Sequence, residues 1–393
     1  MNVVFIGPFG LQPKGTMSVR ALPLARALVR RGHTVTMLIP PWDDPRNAGK
    51  CWEDAGVRVE NLALPPSIPV LFHILLSVRL ANRALSLQPD VVHFFKPKAY
   101  AGLAHLLLWW LRRLKRTPVG LVVDSDDWEQ AWNDLLPYTR WQKMLFRWQE
   151  QWGIHHADVM TVASRALEVL VHAERDGSDR VFYLPNGFLE YRTKALTGDE
   201  IKIQLHTVLG QAPVILLYSR FAEFRLSRIV MLVKLVAQQM PRARWLIVGR
   251  GLHGEDQRLA EKLNAEGIAD RVHFAGWQPP DRLPGYFEVA SVAVHPYDDT
   301  LINRTKCSVK LIDLLLAGVP VVADRVGQNS EYIEDGLSGI LVTPEDDVAM
   351  AGAIVELLQS PDKQESLATM AQKIVTDRFN WTSLAQVAEQ AYQ

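Results

Sequence analysis

The sequence predicts an α/β fold of two doubly wound, parallel-sheet domains, on three observations. Short apolar runs alternate with helical patterns almost throughout, as in successive βαβ units. In the second half the runs recur every ~20 to 30 residues, room for one crossover helix apiece. At 393 residues the chain also exceeds what one core ordinarily serves.

In the first half the runs are Val3–Ile6, Val35–Ile39, Val57–Leu62, Val91–Phe95, Val119–Val123, Val159–Val162 and Val181–Leu184. Pro185-Asn186-Gly187 breaks the pattern, and a polar helical stretch from Lys194 to Gly210 leads to Pro213. The second half continues with Val214–Tyr218, Trp245–Val248, Val272–Ala275, Val292–Pro296, Val321–Ala323 and Gly339–Val342. Ligands of such sheets lie beyond the carboxyl ends of the strands, which places a shared site in a cleft between the domains.

Composition narrows the classes. Cys51 and Cys307 are far apart and form no metal-ligand spacing, so a reducing, cytoplasmic setting is expected. The start, Met1 to Ile6, runs straight into a strand without a charged leader, and no signal peptide is expected. The longest apolar run, around Leu106 to Leu111, falls well short of the roughly 18 to 20 residues that cross a bilayer. A net charge of zero hides an asymmetry: residues 1–120 carry 16 basic and 6 acidic side chains, and the remainder is acidic by ten. The two ends are expected to meet different partners, nucleic acid not among them.

The segment Cys307-Ser308-Val309-Lys310-Leu311-Ile312-Asp313 opens a short helix that stops at Ala317-Gly318 before the strand Val321–Ala323. Ser308 is placed to cap it, leaving amide donors at an end whose dipole favours an anion. Lys310 puts a cation in the first turn, where the helix itself gains nothing from one. Asp313 shares its face. A phosphate on Lys310 and the Ser308–Val309 amides, with a hydroxyl-bearing group on Asp313, describes a nucleoside diphosphate. A solvated helix start is the alternative reading of the same residues.

Four further segments bear chemistry. A glycine loop, Gly7 to Gly15, follows the first strand, where backbone can approach a ligand or simply connect. Arg220 and Arg225 follow the strand Val214–Tyr218 and suit a diphosphate, or else pair with Glu223 and its neighbours. Residues 249–254 match G-x-G-x-x-G, but no acid closes the next strand and the match does not begin its domain. A tight turn is preferred there to a nicotinamide site. Asp124, Asp126 and Asp127 crowd the end of another strand, and such crowding lifts a carboxyl pKa towards proton transfer. Metal binding and helix capping are their alternatives.

Two tryptophan-bearing stretches, 103–116 and 128–152, combine apolar stripes with basic residues. The first has Trp109 and Trp110 ahead of a cationic end. The second has Trp128 and Trp132, then Trp141, Leu145, Trp148 and Trp152 on one helical face. Both fit an anionic membrane surface, with core packing as the alternative.

Taken in order, these segments resemble the GT-B glycosyltransferases, in particular the retaining family 4 (glycosyltransferase group 1) class. Leu28 to Val35, Pro89 to His93, Ala157 to Ser164, Leu184 to Gly187, Ser219 to Phe221, Val248 to Gly251, Phe274 to Gly276, Lys310 to Val322 and Gly327 to Gly339 carry the resemblance. It implies two Rossmann-like domains facing across a cleft: residues 1–190 for the acceptor and 191–378 for a nucleotide sugar. The last helix, about 379–393, would return to the first domain. It also implies chemistry without a metal and no cofactor beyond a UDP- or GDP-sugar co-substrate.

Three positions depart from the family pattern. Its E-x7-E motif places the second acid at Asp313 and the first at Thr305, which is not acidic. Its Arg-x5-Lys pair begins at Arg220 but meets Leu226, with Arg225 the nearest cation. Its first-domain histidine is replaced within Asp124–Asp127, which looks more like inverting relatives that use a carboxylate base.

The expected activity is hexosyl transfer from a nucleoside-diphosphate sugar to a hydroxyl of a lipid-linked or cell-envelope glycan, at the inner face of the membrane, retaining in preference to inverting. The alternatives are a non-catalytic descendant and a sugar-nucleotide epimerase. Donor-binding candidates are Gly15, Arg220, Arg225, Gly249, Gly276, Ser308, Val309, Lys310 and Asp313. Catalytic candidates are Asp126, Asp127, Arg220 and Lys310.

Overall fold

The computed structural model describes residues 1–12, 15–115, 118–175, 180–188 and 199–393. The chain forms two compact units. The first comprises Met1–Gly187, Thr305–Cys307 and Asn380–Gln393; the second comprises Phe188–Arg304 and Ser308–Phe379.

The first unit is built on an eight-stranded sheet: β1 (Asn2–Ile6), β2 (Thr34–Ile39), β3 (Cys51–Asp54), β4 (Val57–Asn61), β5 (Val91–Phe95), β6 (Gly120–Ser125), β7 (Val159–Val162) and β8 (Val181–Tyr183). Their order is β3-β4-β2-β1-β5-β6-β7-β8. Every pairing is parallel except β3 with β4. Val3, Val4, Phe5 and Ile6 are fully buried, as a strand covered by helices on both faces must be.

The second unit carries β9 (Val214–Tyr218), β10 (Arg244–Val248), β11 (Val272–Gly276), β12 (Val292–His295), β13 (Val321–Asp324) and β14 (Ile340–Val342). Their order is β11-β10-β9-β12-β13-β14, all parallel. Strand order reverses between β1 and β5 in one sheet and between β9 and β12 in the other. The carboxyl ends beside these reversals are where ligands of such sheets lie.

Each expected apolar run forms a strand, with ends moved by one or two residues. The addition is β3. Its sequence, Cys-Trp-Glu-Asp, is an exposed edge with no apolar alternation, and the hairpin turns at Ala55-Gly56, with φ of 50° and 83°. The polar stretch predicted from Lys194 is the helix Asp199–Leu209 where described; its start, and the 190/191 boundary, lie outside the described residues.

A buried network closes the first unit. Arg20 grips Asp124 through two bonds of 2.7 and 2.6 Å, both side chains being inaccessible. Its remaining donors reach Asn186 Oδ1 and the Leu184 carbonyl. Thr161 donates to Asp124, and His93 lies 3.2 Å from Thr161 and 2.8 Å from the Tyr392 hydroxyl. Asp124 is therefore a structural anchor, set apart from the Asp126 and Asp127 with which the sequence grouped it. The final helix, Trp381–Tyr392, belongs to this unit and adds Glu389, paired with Arg31 and His33.

Candidate active site

In the second unit the helix Val309–Leu316 starts on the carboxyl side of the sheet. Ser308 is its N-cap: the Oγ accepts from Leu311 N at 3.3 Å and lies 3.4 Å from His295 Nε2 at the end of β12. Leu311, Ile312, Leu314 and Leu315 fill the core, so the helix presents Val309, Lys310 and Asp313 on its less buried side. Lys310 Nζ stands 3.6 Å from Glu223 Oε1. Glu223 is in turn held by Ser219 Oγ and the Ala222 amide, in the loop after β9. Phe221 adopts φ 65° there, its amide donating to Ser219 Oγ. Such a left-handed residue marks a backbone held by its surroundings. The loop thus steers an ammonium to the open end of a helix. Such an arrangement suits an anion, with Glu223 holding Lys310 in place.

The other predicted donor residues of this unit differ in their surroundings. Arg220 is exposed and makes no hydrogen bond or ion pair among the described residues. Arg225 is engaged: its guanidinium pairs with Glu345 and lies 3.3 Å from Asp298, whose Oδ2 also takes the Arg225 amide. Neither arginine pairs with Glu223; Lys310 does. Gly249, with φ 132°, is demanded by the fold, since a Cβ there would meet the Ser219 carbonyl oxygen at 1.8 Å. The tight-turn reading of residues 249–254 fits this, as does their place after β10, the second strand of its unit. Gly276 (φ 67°) accepts from the Gly249 amide, and a Cβ there would meet nothing. Thr305 lies in the first unit, its carbonyl accepting from Ser164.

In the first unit the acids collect around a lysine. Lys96 follows β5, and its Nζ is 2.7 Å from Asp126, 3.0 Å from Asp127 and 2.8 Å from Glu129. Lys98 supports the far side, bonded to Glu129 at 2.9 Å and to Asn133. Thr16, just past the glycine loop, donates to Asp126. Gly15 lies beside it; its carbonyl takes the Ser18 and Val19 amides, and a Cβ there would have room. Pro13 and Lys14 lie outside the described residues. Asp126, Asp127 and Glu129 are the described trio able to share a cation, and the Lys96 ammonium already occupies their meeting point.

The charges separate the roles. Burial lifts Glu129, but Lys96 and Lys98 outweigh it and hold the carboxyl at about 2. Asp127 goes the other way: burial, with like charge from Asp126 and Glu129, raises it above 3.8 despite Lys96. Asp127 is thus the carboxyl of the three whose charged form is disfavoured, while Glu129 stays ionised.

Glu150 closes the cluster from the helix Arg140–His156, accepting from the Glu129 and Gln130 amides at 2.7 and 2.9 Å. Burial first, and Glu129 second, push its carboxyl up to about 8 from 4.5. The folded protein therefore holds an extra proton between those values, and this group's contribution to stability falls as pH rises from 4.5 to 8. Glu150→Gln should remove up to about 1.4 kcal/mol per pH unit of that slope. Urea midpoints at pH 5 and pH 8 check it: the pH dependence flattens in the variant.

Sequence reasoning missed Lys96, Lys98, Glu129, Glu150 and the role of Glu223. Lys96 had a signal, a lysine ending a buried strand beside the reversal of strand order. Glu150 had none, because its helix displays a different stripe.

Comparison with known proteins gives the family. Residues 15–187 match the family described as the glycosyl transferase 4-like domain, and residues 212–360 match glycosyl transferases group 1. A GDP-mannose-dependent alpha-(1-6)-phosphatidylinositol monomannoside mannosyltransferase of Mycobacterium tuberculosis is 24% identical over 366 residues, covering 92% of this chain and 90% of that one. Among solved structures, sucrose-phosphate synthase from Thermosynechococcus elongatus superposes with a TM-score of 0.74 at 21% identity, over 100% of this chain and 98% of that one. HepE from Anabaena, in complex with UDP-glucose, gives 0.73 at 19% identity, over 99% of each chain. The chain belongs to the group 1, family 4-like glycosyltransferases of GT-B fold, and is a nucleotide-sugar-dependent glycosyltransferase.

Proposed function

We propose that the enzyme transfers a hexose from a UDP- or GDP-sugar to a hydroxyl of a lipid-linked or cell-envelope glycan, without a metal and with retention at the anomeric carbon. The observation that carries this reading is Lys310, braced by Glu223 at the open end of the Ser308-capped helix. Lys310, Arg220 and the Val309 amide hold the diphosphate and stabilise the charge that develops as it leaves. Asp313, one turn on, holds the ribose. In the first unit, Asp127 takes the acceptor proton and Asp126 orients the hydroxyl, with Lys96 setting both carboxylates. Retention then requires the hydroxyl to attack on the face that the diphosphate leaves, the C1–O bond to the diphosphate breaking as the new one forms. The Lys310 ammonium at the diphosphate seat supplies positive charge that a metal gives elsewhere.

Two relatives support the finer points. The mycobacterial enzyme is named for GDP-mannose, an alpha linkage and a lipid acceptor, and alpha donor to alpha product is retention. The HepE complex holds UDP-glucose. Between them they define the bases to test. A thermal-stabilisation screen of UDP- and GDP-sugars finds the donor. Product NMR then reads the anomer. An inverted anomer would contradict retention, and donor turnover without acceptor would point to an epimerase.

Asp127→Asn should lower kcat by about 10²–10⁴, the usual value of a positioned proton acceptor. In the native enzyme the carboxylate is the active form, so activity is lost as pH falls through its raised pKa. A pH–rate profile checks both points: the acid limb disappears in the variant. A limb unchanged in the variant would move the role elsewhere.

A further inference from the structure

The helix Arg140–His156 is built inside out. Its buried side carries Gln149, Glu150 and Gly153, with Ile154 its one fully buried large apolar side chain, while Trp141 (77% exposed), Met144 (57%), Leu145 (43%) and Trp148 (43%) form a stripe on its outside. Spacings of three and four residues put these on one face. An ordinary surface helix does the opposite, and a contiguous exposed apolar patch marks something that covers it. Trp128 and Trp132, by contrast, are buried or partly so, and drop out of the stripe the sequence drew.

The patch continues onto the neighbouring helix Ala99–Lys115. Trp148 lies 6.4 Å from Trp152, Trp152 5.6 Å from Trp109 and Trp109 5.0 Å from Trp110, an unbroken aromatic row between the two helices. Trp110 (54%) and Leu114 (76%) are exposed at its end.

Charge identifies the occupant. Arg140 and Arg147 are exposed beside the stripe, with no ion-pair partner among the described residues, and exposed Arg113 stacks on Trp109 at 4.1 Å. The helix Ala99–Lys115 has no carboxylate, and the only one on Arg140–His156, Glu150, is fully buried. Tryptophans and aliphatic side chains flanked by unpaired arginines match the interface of an anionic bilayer.

We propose that the outer face of the helix Arg140–His156, continued by Trp110 and Leu114, is the docking face for an anionic bilayer. This rests on the reading above that the acceptor is carried by a membrane. The inner face makes the docking useful. Gln149 bonds the Ala99 amide and carbonyl at 2.8 and 3.3 Å, and Glu150 bonds the Glu129 and Gln130 amides. These amides begin the two helices whose first residues and preceding loops carry Lys96, Lys98, Asp126, Asp127 and Glu129. Lys96 and Ala99 both hold positive φ, 63° and 51°, in the braced loop. One helix therefore fixes where the acid cluster stands relative to the bilayer.

Flotation of the full chain with vesicles tests the assignment. The native protein should bind vesicles of 30% phosphatidylglycerol in phosphatidylcholine, and bind pure phosphatidylcholine and high-salt samples far less. Trp141→Ser with Trp148→Ser, and separately Arg140→Glu with Arg147→Glu, should each cut partitioning about tenfold or more. Stabilisation by UDP or GDP should stay unchanged in both pairs, since none of these residues is in the nucleotide seat. Equal flotation of native and variant proteins, or none by the native protein, would overturn the proposal. So would a native dimer that both variants abolish while vesicle binding persists, since the face would then belong to a second copy. Vesicle binding without stabilisation by any nucleotide would leave this face intact and defeat the transferase reading instead.

Discussion

Lys310→Ala is expected to lower kcat/KM for the nucleotide sugar by about 10²–10³, with loss of stabilisation by the nucleoside diphosphate alone. The ammonium sits at a helix start in the second unit where a bonded serine cap, a turn of amides and a cation coincide, and Glu223 fixes it from the loop after β9. Removing it deletes a charge-assisted contact to a group that becomes more negative along the reaction, so the loss falls more on kcat than on KM. Glu223→Gln should give a smaller loss in the same direction, because the ammonium stays but is held less firmly. Steady-state kinetics on both variants and a thermal-shift titration with UDP and GDP measure these effects. A Lys310→Ala enzyme with native kinetics would remove the diphosphate seat from this helix.

Asp124→Ala should destabilise the first unit by about 3–5 kcal/mol, the cost of stranding a buried charge. Arg20 is inaccessible and spends its donors on Asp124, Asn186 and the Leu184 carbonyl, so no water can replace the lost carboxylate. Thr161, His93 and Tyr392 are linked to the same carboxylate, which extends the damage to the C-terminal helix. At roughly 2–4 °C per kcal/mol for a unit of this size, the melting temperature should fall by about 10 °C. The double change Arg20→Met with Asp124→Leu should recover much of it, because an apolar pair of similar volume avoids both desolvation costs. A single variant melting with the native protein would show the network to be dispensable.

The strands were legible because strands of a covered parallel sheet read as unbroken apolar runs; Val3–Ile6 and Val91–Phe95 could hardly be anything else. β3 was not, because an exposed edge strand needs no apolar face, and Ala55-Gly56 was its one sign. The capped helix at Ser308 was legible for a local reason, since cap, cation and acid all lie within six residues. The acid cluster was half legible. Asp126 and Asp127 stand together in sequence, but Lys96 lies 30 residues away and meets them because β5 and β6 are neighbours in the sheet. The two tryptophan stretches read alike, and only the fold decides that Trp128 is buried while Trp141 is not. Arg225 was misleading in the same way: nothing local says that Glu345 reaches it across 120 positions.

The most direct test of the central claim is the structure of the enzyme bound to UDP or GDP. The account predicts the β-phosphate within hydrogen-bond reach of the Val309 amide and the Lys310 ammonium, with Asp313 on the ribose hydroxyls. A nucleotide whose phosphates lie away from the start of the helix Val309–Leu316 would contradict it.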